Sequence, residues 1–121
     1  MTIELYSEPA DFEAEIAILS SDQGGRNLPV HNFIRWDFGY AEDASPKEIY
    51  MIYPKFLDKD GLPIPEGISL DGTLMARMHI VVRETTDYHR ARISVGTRFN
   101  CHEGGRVVAR GIVTKLLALE A

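Results

Sequence analysis

Arg98-Phe99-Asn100-Cys101-His102-Glu103-Gly104-Gly105-Arg106-Val107-Val108-Ala109-Arg110-Gly111-Ile112-Val113 is the stretch that decides the fold. A glycine pair separates two apolar runs, and glycine takes positive φ without steric cost, which tight strand-to-strand turns often need. The same tripeptide occurs earlier as Gly24-Gly25-Arg26, after Phe12-Glu13-Ala14-Glu15-Ile16-Ala17-Ile18-Leu19-Ser20. There Phe12, Ala14, Ile16 and Ile18 alternate with Glu13, Glu15 and the small Ala17, the period-2 signature of a half-buried strand. The two tripeptides therefore read as two strand ends turned by similar chemistry. Gly24, Gly25, Arg26 and Gly105 are assigned structural roles in those turns.

Working outward, turn residues recur at short intervals: Ser45-Pro46, Asp58-Lys59-Asp60-Gly61, Pro63 to Gly67 and Asp71-Gly72. Six strand-like runs lie between them, at about 11–20, 28–40, 47–57, 73–83, 91–101 and 106–118. In the fourth, Leu74, Ala76, Met78, Ile80 and Val82 share a face. In the fifth, Ile93, Val95, Thr97, Phe99 and Cys101 oppose Arg92, Ser94, Gly96 and Arg98, with Gly96 marking a bend or bulge. Pro9 to Leu19 has enough helix propensity to read as a capped helix, but its alternation runs into a Gly-Gly turn, which favours a strand. The expected fold is all-β, a six-stranded antiparallel closed barrel in a single domain. Its core spans about 11–118, preceded by a short extension at 1–10.

The chain has 121 residues, of which 45% are hydrophobic and 26% charged, as expected of one globular domain. A core of this size needs no metal or disulfide, and the single Cys101 cannot form an internal one. The start, Met1-Thr2-Ile3-Glu4-Leu5-Tyr6, lacks a basic segment followed by an apolar one, and no run approaches a membrane span. The expectation is a cytoplasmic protein with no membrane association. A formal charge of -5 argues against a general nucleic-acid binder, although it leaves room for a local basic patch.

Several blocks together resemble the C-terminal β-barrel domain, domain III, of translation elongation factor Tu. They are Phe12 to Ser20, Gly24-Gly25-Arg26 with Pro29, Arg35 with Phe38, and Pro65-Glu66-Gly67-Ile68. The most specific is Arg98-Phe99 followed by Glu103-Gly104-Gly105-Arg106-Val107-Val108 and Gly111-Ile112-Val113-Thr114-Lys115-Leu116. The resemblance implies the closed six-stranded barrel. It also implies a surface that holds the T-stem backbone of tRNA or meets partner proteins, with Arg35, Arg98, His102, Glu103, Gly104 and Arg106 facing the partner. His102 stands where the family usually has arginine, and 41–64 is a divergent insertion without a clear counterpart. No Gly-x-x-x-x-Gly-Lys-Ser/Thr loop is present, so GTP hydrolysis is not expected. The chain reads as a non-enzymatic binding module for tRNA, other RNA or a translation-linked protein. The alternatives are a protein-protein module that mimics this barrel to capture a partner, and a small ligand-binding barrel or enzyme.

Other residues invite sharper readings. Arg26 and Arg106 suit a phosphate cradle, or else each anchors its turn by bonding a carboxylate or carbonyl across the barrel. Arg77, Arg83, Arg90, Arg92, Arg98 and Arg110 make the second half basic, with Tyr88 and His89 as stacking groups for RNA, or form a solvated strand face. His79, His89, His102 and Cys101 fit no recognised zinc spacing, so no metal or cofactor is expected, and Cys101 reads as a core thiol. Trp36, Tyr40, Tyr50, Tyr53 and Phe56 cluster in the middle, where strand parity leaves one aromatic exposed unless something covers it.

Overall fold

The computed structural model describes residues 5–6, 8–43 and 48–120. The expected turn at Ser45-Pro46 lies outside them. Six strands form one antiparallel sheet: β1 (Phe12–Ile18), β2 (Asp37–Tyr40), β3 (Ile52–Leu57), β4 (Thr73–Ile80), β5 (Arg98–Glu103) and β6 (Arg106–Leu116). The order across the sheet is β2-β5-β6-β1-β4-β3. The sheet curls into an open half-barrel around one apolar core.

Alternation decides which side chains fill that core. Phe12, Ala14 and Ile16 of β1, Ala76, Met78 and Ile80 of β4, and Phe99 and Cys101 of β5 all point inward and are buried. Phe38 and Phe99 stack with centroids 4.6 Å apart, and Phe12 meets both edge-on. Gly111 makes that packing feasible, because a Cβ there would fall 2.2 Å from the Phe99 ring. Twice β6 carries an extra residue, Val108 opposite Cys101/His102 and Thr114 opposite Glu13/Ala14. Bulges of this kind increase local twist and help a sheet curl.

The edge strand β2 bridges the segment just before β3, where Phe38 and Tyr50 exchange both backbone hydrogen bonds at 2.7 Å. Further along, the exposed edge of β3 is capped by a side chain. Buried Asn32 accepts from Phe56 N at 2.8 Å and donates to the carbonyls of Phe56 and Ile64 at 2.9 and 2.8 Å. Its amide thus imitates a neighbouring strand. Pro54, which has no N–H to offer, sits in the same edge strand, as the ladder requires.

Four expectations change. The second run is strand only over Asp37–Tyr40, because Asn32 turns towards β3 and Phe33 takes a positive φ of 69°. The fifth run begins at Arg98, because Thr86–Arg92 is a helix, α1. The Thr85 and Thr86 hydroxyls hold the chain entering it by donating to Val82 O and Arg83 O. His89 and Ile93 present its buried side, while Val95 is exposed. Gly96, with φ 97°, turns the chain before β5 and does not bend a strand. The first Gly-Gly does not join two paired strands either. It follows a 3-10 turn at Ser21–Gln23 and leads into an irregular segment.

The aromatic left over by strand parity is covered. Tyr53, on the outer face of β3, packs with Tyr6, and Tyr6 also meets His79 and Phe33 edge-on. Glu8 pairs with Lys55 on the same face. The described part of the N-terminal extension therefore shields β3 from outside, and the segment 41–64 supplies β3 itself.

Candidate functional site

The two Gly-Gly-Arg segments meet in space. Arg26 Nη1 lies 3.3 Å from Glu103 Oε2, and Trp36 Nε1 donates to the same oxygen at 3.1 Å. Arg106 Nη1 in turn donates to Gly25 O at 3.4 Å. Each arginine thus reaches the other turn, one on a carboxylate and one on a carbonyl. The glycines have separate duties. Gly24 takes φ 92°, whereas a Cβ on Gly25 would fall 2.2 Å from Leu19 O. In the β5–β6 hairpin only Gly104 takes positive φ, at 61°, the φ pattern of a type II′ turn.

The residues assigned to partner contact are dispersed. Glu103, Gly104 and Arg106 sit at the hairpin tip, where Glu103 is engaged by Arg26 and Trp36. His102 is not presented to a partner. It is buried, with Nε2 beside Gly39, where a Cβ would approach that nitrogen to 2.7 Å. Arg35 is exposed on the side of Tyr6 and Tyr53. Arg98 stands at the opposite end of β5 from Glu103, about 17 Å away along the strand. No single face gathers all of them.

The basic half of the chain divides into engaged and available arginines. Arg83 bonds Asp11 Oδ2 at 2.9 Å, Arg90 pairs with Asp87, and Arg92 bonds Glu42 and Asp43 at 2.7 and 3.1 Å. Arg92 also lies 3.7 Å over the Tyr40 ring. Arg98 and Arg110 differ. They point outward from neighbouring strands, where Asn100 pairs Arg110 and Arg98 pairs Ile112, which makes them diagonal neighbours. Both are exposed and form no ion pair among the described residues. A shallow groove of about 170 Å³ lies between them, with Glu15 and Ala17 on its β1 side.

His89 is not a surface stacking group. It is fully buried, its Nδ1 is 2.6 Å from the Tyr40 hydroxyl, and its Nε2 has no hydrogen-bond partner among the described residues. Burial, reinforced by the Arg92 charge, lowers its pKa to about 4. Burial raises Cys101 to about 12, which keeps it a thiol. Among the described residues no group of three His, Cys, Asp or Glu side chains could hold a metal ion. No described helix is long and apolar enough to cross a membrane. No protein-family model matches the chain.

Proposed function

We propose that this chain is a non-enzymatic binding module, built like the third domain of elongation factor Tu, that engages the phosphate backbone of tRNA or another RNA. The observation that carries the reading is the pair Arg98 and Arg110, exposed side by side without a carboxylate partner among the described residues. Guanidinium groups bind phosphate oxygens through charge-assisted, often bidentate hydrogen bonds. The hairpin at Glu103-Gly104-Gly105-Arg106 supports the likeness to that domain. The Phe38–Tyr50 bridge and the Asn32 cap support reading the seam as a barrel closure. The proposal takes the protein as cytoplasmic, where translation runs.

A translation-linked protein is the second reading, favoured by the exposed Ile49, Met51 and Tyr88 near the seam. Titration of the purified protein with tRNA at several salt concentrations separates the two. Saturable binding that weakens steeply with salt is expected of the RNA reading. Absence of such binding, together with a nuclease-resistant partner in pull-downs, would move the assignment to protein.

A further inference from the structure

Arg98 borders a second, larger space. An open groove of about 580 Å³ runs from Arg98 past Thr97, Gly96 and Ser94 to Glu42. We propose that this groove seats the ribose-phosphate backbone of RNA, with a phosphate on Arg98 and a ribose hydroxyl between Ser94 and Glu42. The proposal rests on the RNA reading above and adds to it a location and a sugar preference.

The volume falls in the range of ligand clefts. Because Arg98 lines this groove and also the one beside Arg110, a polymer crossing Arg98 passes from one to the other. The far wall is held in place. Arg92 donates to Glu42 Oε1 at 2.7 Å and to the Tyr88 hydroxyl at 2.7 Å while covering Tyr40. Glu42 Oε2 is left without a hydrogen bond among the described residues, and Ser94 is exposed with Oγ 3.4 Å from Thr97 Oγ1. A carboxylate oxygen and a hydroxyl lining the same groove supply the chemistry that reads sugar hydroxyls. Gly96 adds no side chain to the floor.

No aromatic residue lines the groove, and the nearby Tyr40 is buried beneath the Arg92 guanidinium. The exposed Tyr88 holds Arg92 through its hydroxyl from behind the groove wall and is not among the lining residues, so inside the groove bases have no ring to stack on and recognition stops at sugar and phosphate. Binding is accordingly independent of base sequence but sensitive to the 2′-hydroxyl.

Fluorescence anisotropy with labelled oligouridylate and oligodeoxyuridylate, which differ only in that hydroxyl, tests this. The wild-type protein is expected to bind the RNA more tightly. R98Q weakens both ligands about tenfold and flattens the salt dependence by about one phosphate contact. S94A and E42Q weaken the RNA alone and erase the preference. Thermal melts confirm that each variant is folded. If the wild type binds RNA while R98Q and R98E bind equally well, or if RNA and DNA bind alike, the groove is not the site and the RNA reading stands without it. If the wild type binds neither oligonucleotide nor tRNA, the RNA reading falls as well.

Discussion

Arg26 and Glu103 form an ion pair at 3.3 Å that ties the segment after β1 to the β5–β6 hairpin, and Trp36 Nε1 shares the same carboxylate oxygen. The pair is partly exposed, with side-chain accessibilities of 20% for Arg26 and 44% for Glu103, so solvent screens it. Its worth is about 0.5 kcal/mol. Glu103→Ala should nonetheless cost more, about 1–2 kcal/mol, because it also deprives buried Trp36 of its acceptor. Urea denaturation of Arg26→Ala, Glu103→Ala and the double variant checks this. The expected order is Glu103→Ala clearly worse than Arg26→Ala, with the double variant close to Glu103→Ala.

Four glycine-to-alanine substitutions sort by mechanism. At Gly111 and Gly25 the new methyl collides with the Phe99 ring and with the Leu19 carbonyl oxygen, each at 2.2 Å. Both should destabilise by about 2–3 kcal/mol. At Gly24, with φ 92° and open space, the cost is the left-handed backbone alone, about 1 kcal/mol. Gly105, with neither constraint, should be within about 0.5 kcal/mol of the parent. Thermal or denaturant melts of the four variants give the ranking.

Asn32→Leu should cost about 2–3 kcal/mol, since it leaves the buried Phe56 N–H and the Ile64 carbonyl without the amide that satisfies them, while Phe56 O keeps only its bond from Ile64 N at 3.1 Å. Hydrogen exchange would show the loss locally, as faster exchange of the Phe56 amide. An unchanged rate there would mean that a neighbouring strand or water, and not Asn32, protects this edge.

Acid sensitivity follows from His89. Its pKa is lowered to about 4 in the folded protein, against 6.5 as the ordinary value. Between those values the unfolded chain binds the extra proton. The stability of the neutral buried form is therefore fully present above pH 6.5 and declines as pH falls towards 4, by about 2–3 kcal/mol from this group. Asp37, raised by burial, pulls weakly the other way. His89→Gln, which cannot titrate, should flatten the fall in stability between pH 6.5 and 4, measured by urea melts across that interval.

Much of the sheet was legible in the sequence because its alternation is strict. β1, β4 and the β5–β6 hairpin fall where Phe12 to Ile18, Leu74 to Ile80 and the Gly104-Gly105 turn predict them. Helix α1 was hidden because Ile93, Val95 and Thr97 continue the alternation of β5 backwards, while Thr86–Arg92 is short and polar. The available signal was His89 with Ile93 at a spacing of four, the two inward positions of one helical turn. The pairing of Arg26 with Glu103 was open as one of two readings. The choice depends on curling of the sheet, which brings residues 77 positions apart to 3.3 Å. The dispersal of Arg35, Arg98 and Glu103 is likewise a matter of register and strand length, which no local pattern records.

The measurement that bears most directly on the account is amide chemical-shift mapping of the isotope-labelled protein during titration with unlabelled RNA. The account predicts shifts concentrated at Ser94 to Arg98 and at Arg110, with Gly24 to Arg26 and Glu103 to Arg106 unmoved because those arginines hold each other's turns. Shifts centred on Glu103, Gly104 and Arg106, with Arg98 and Arg110 silent, would contradict it.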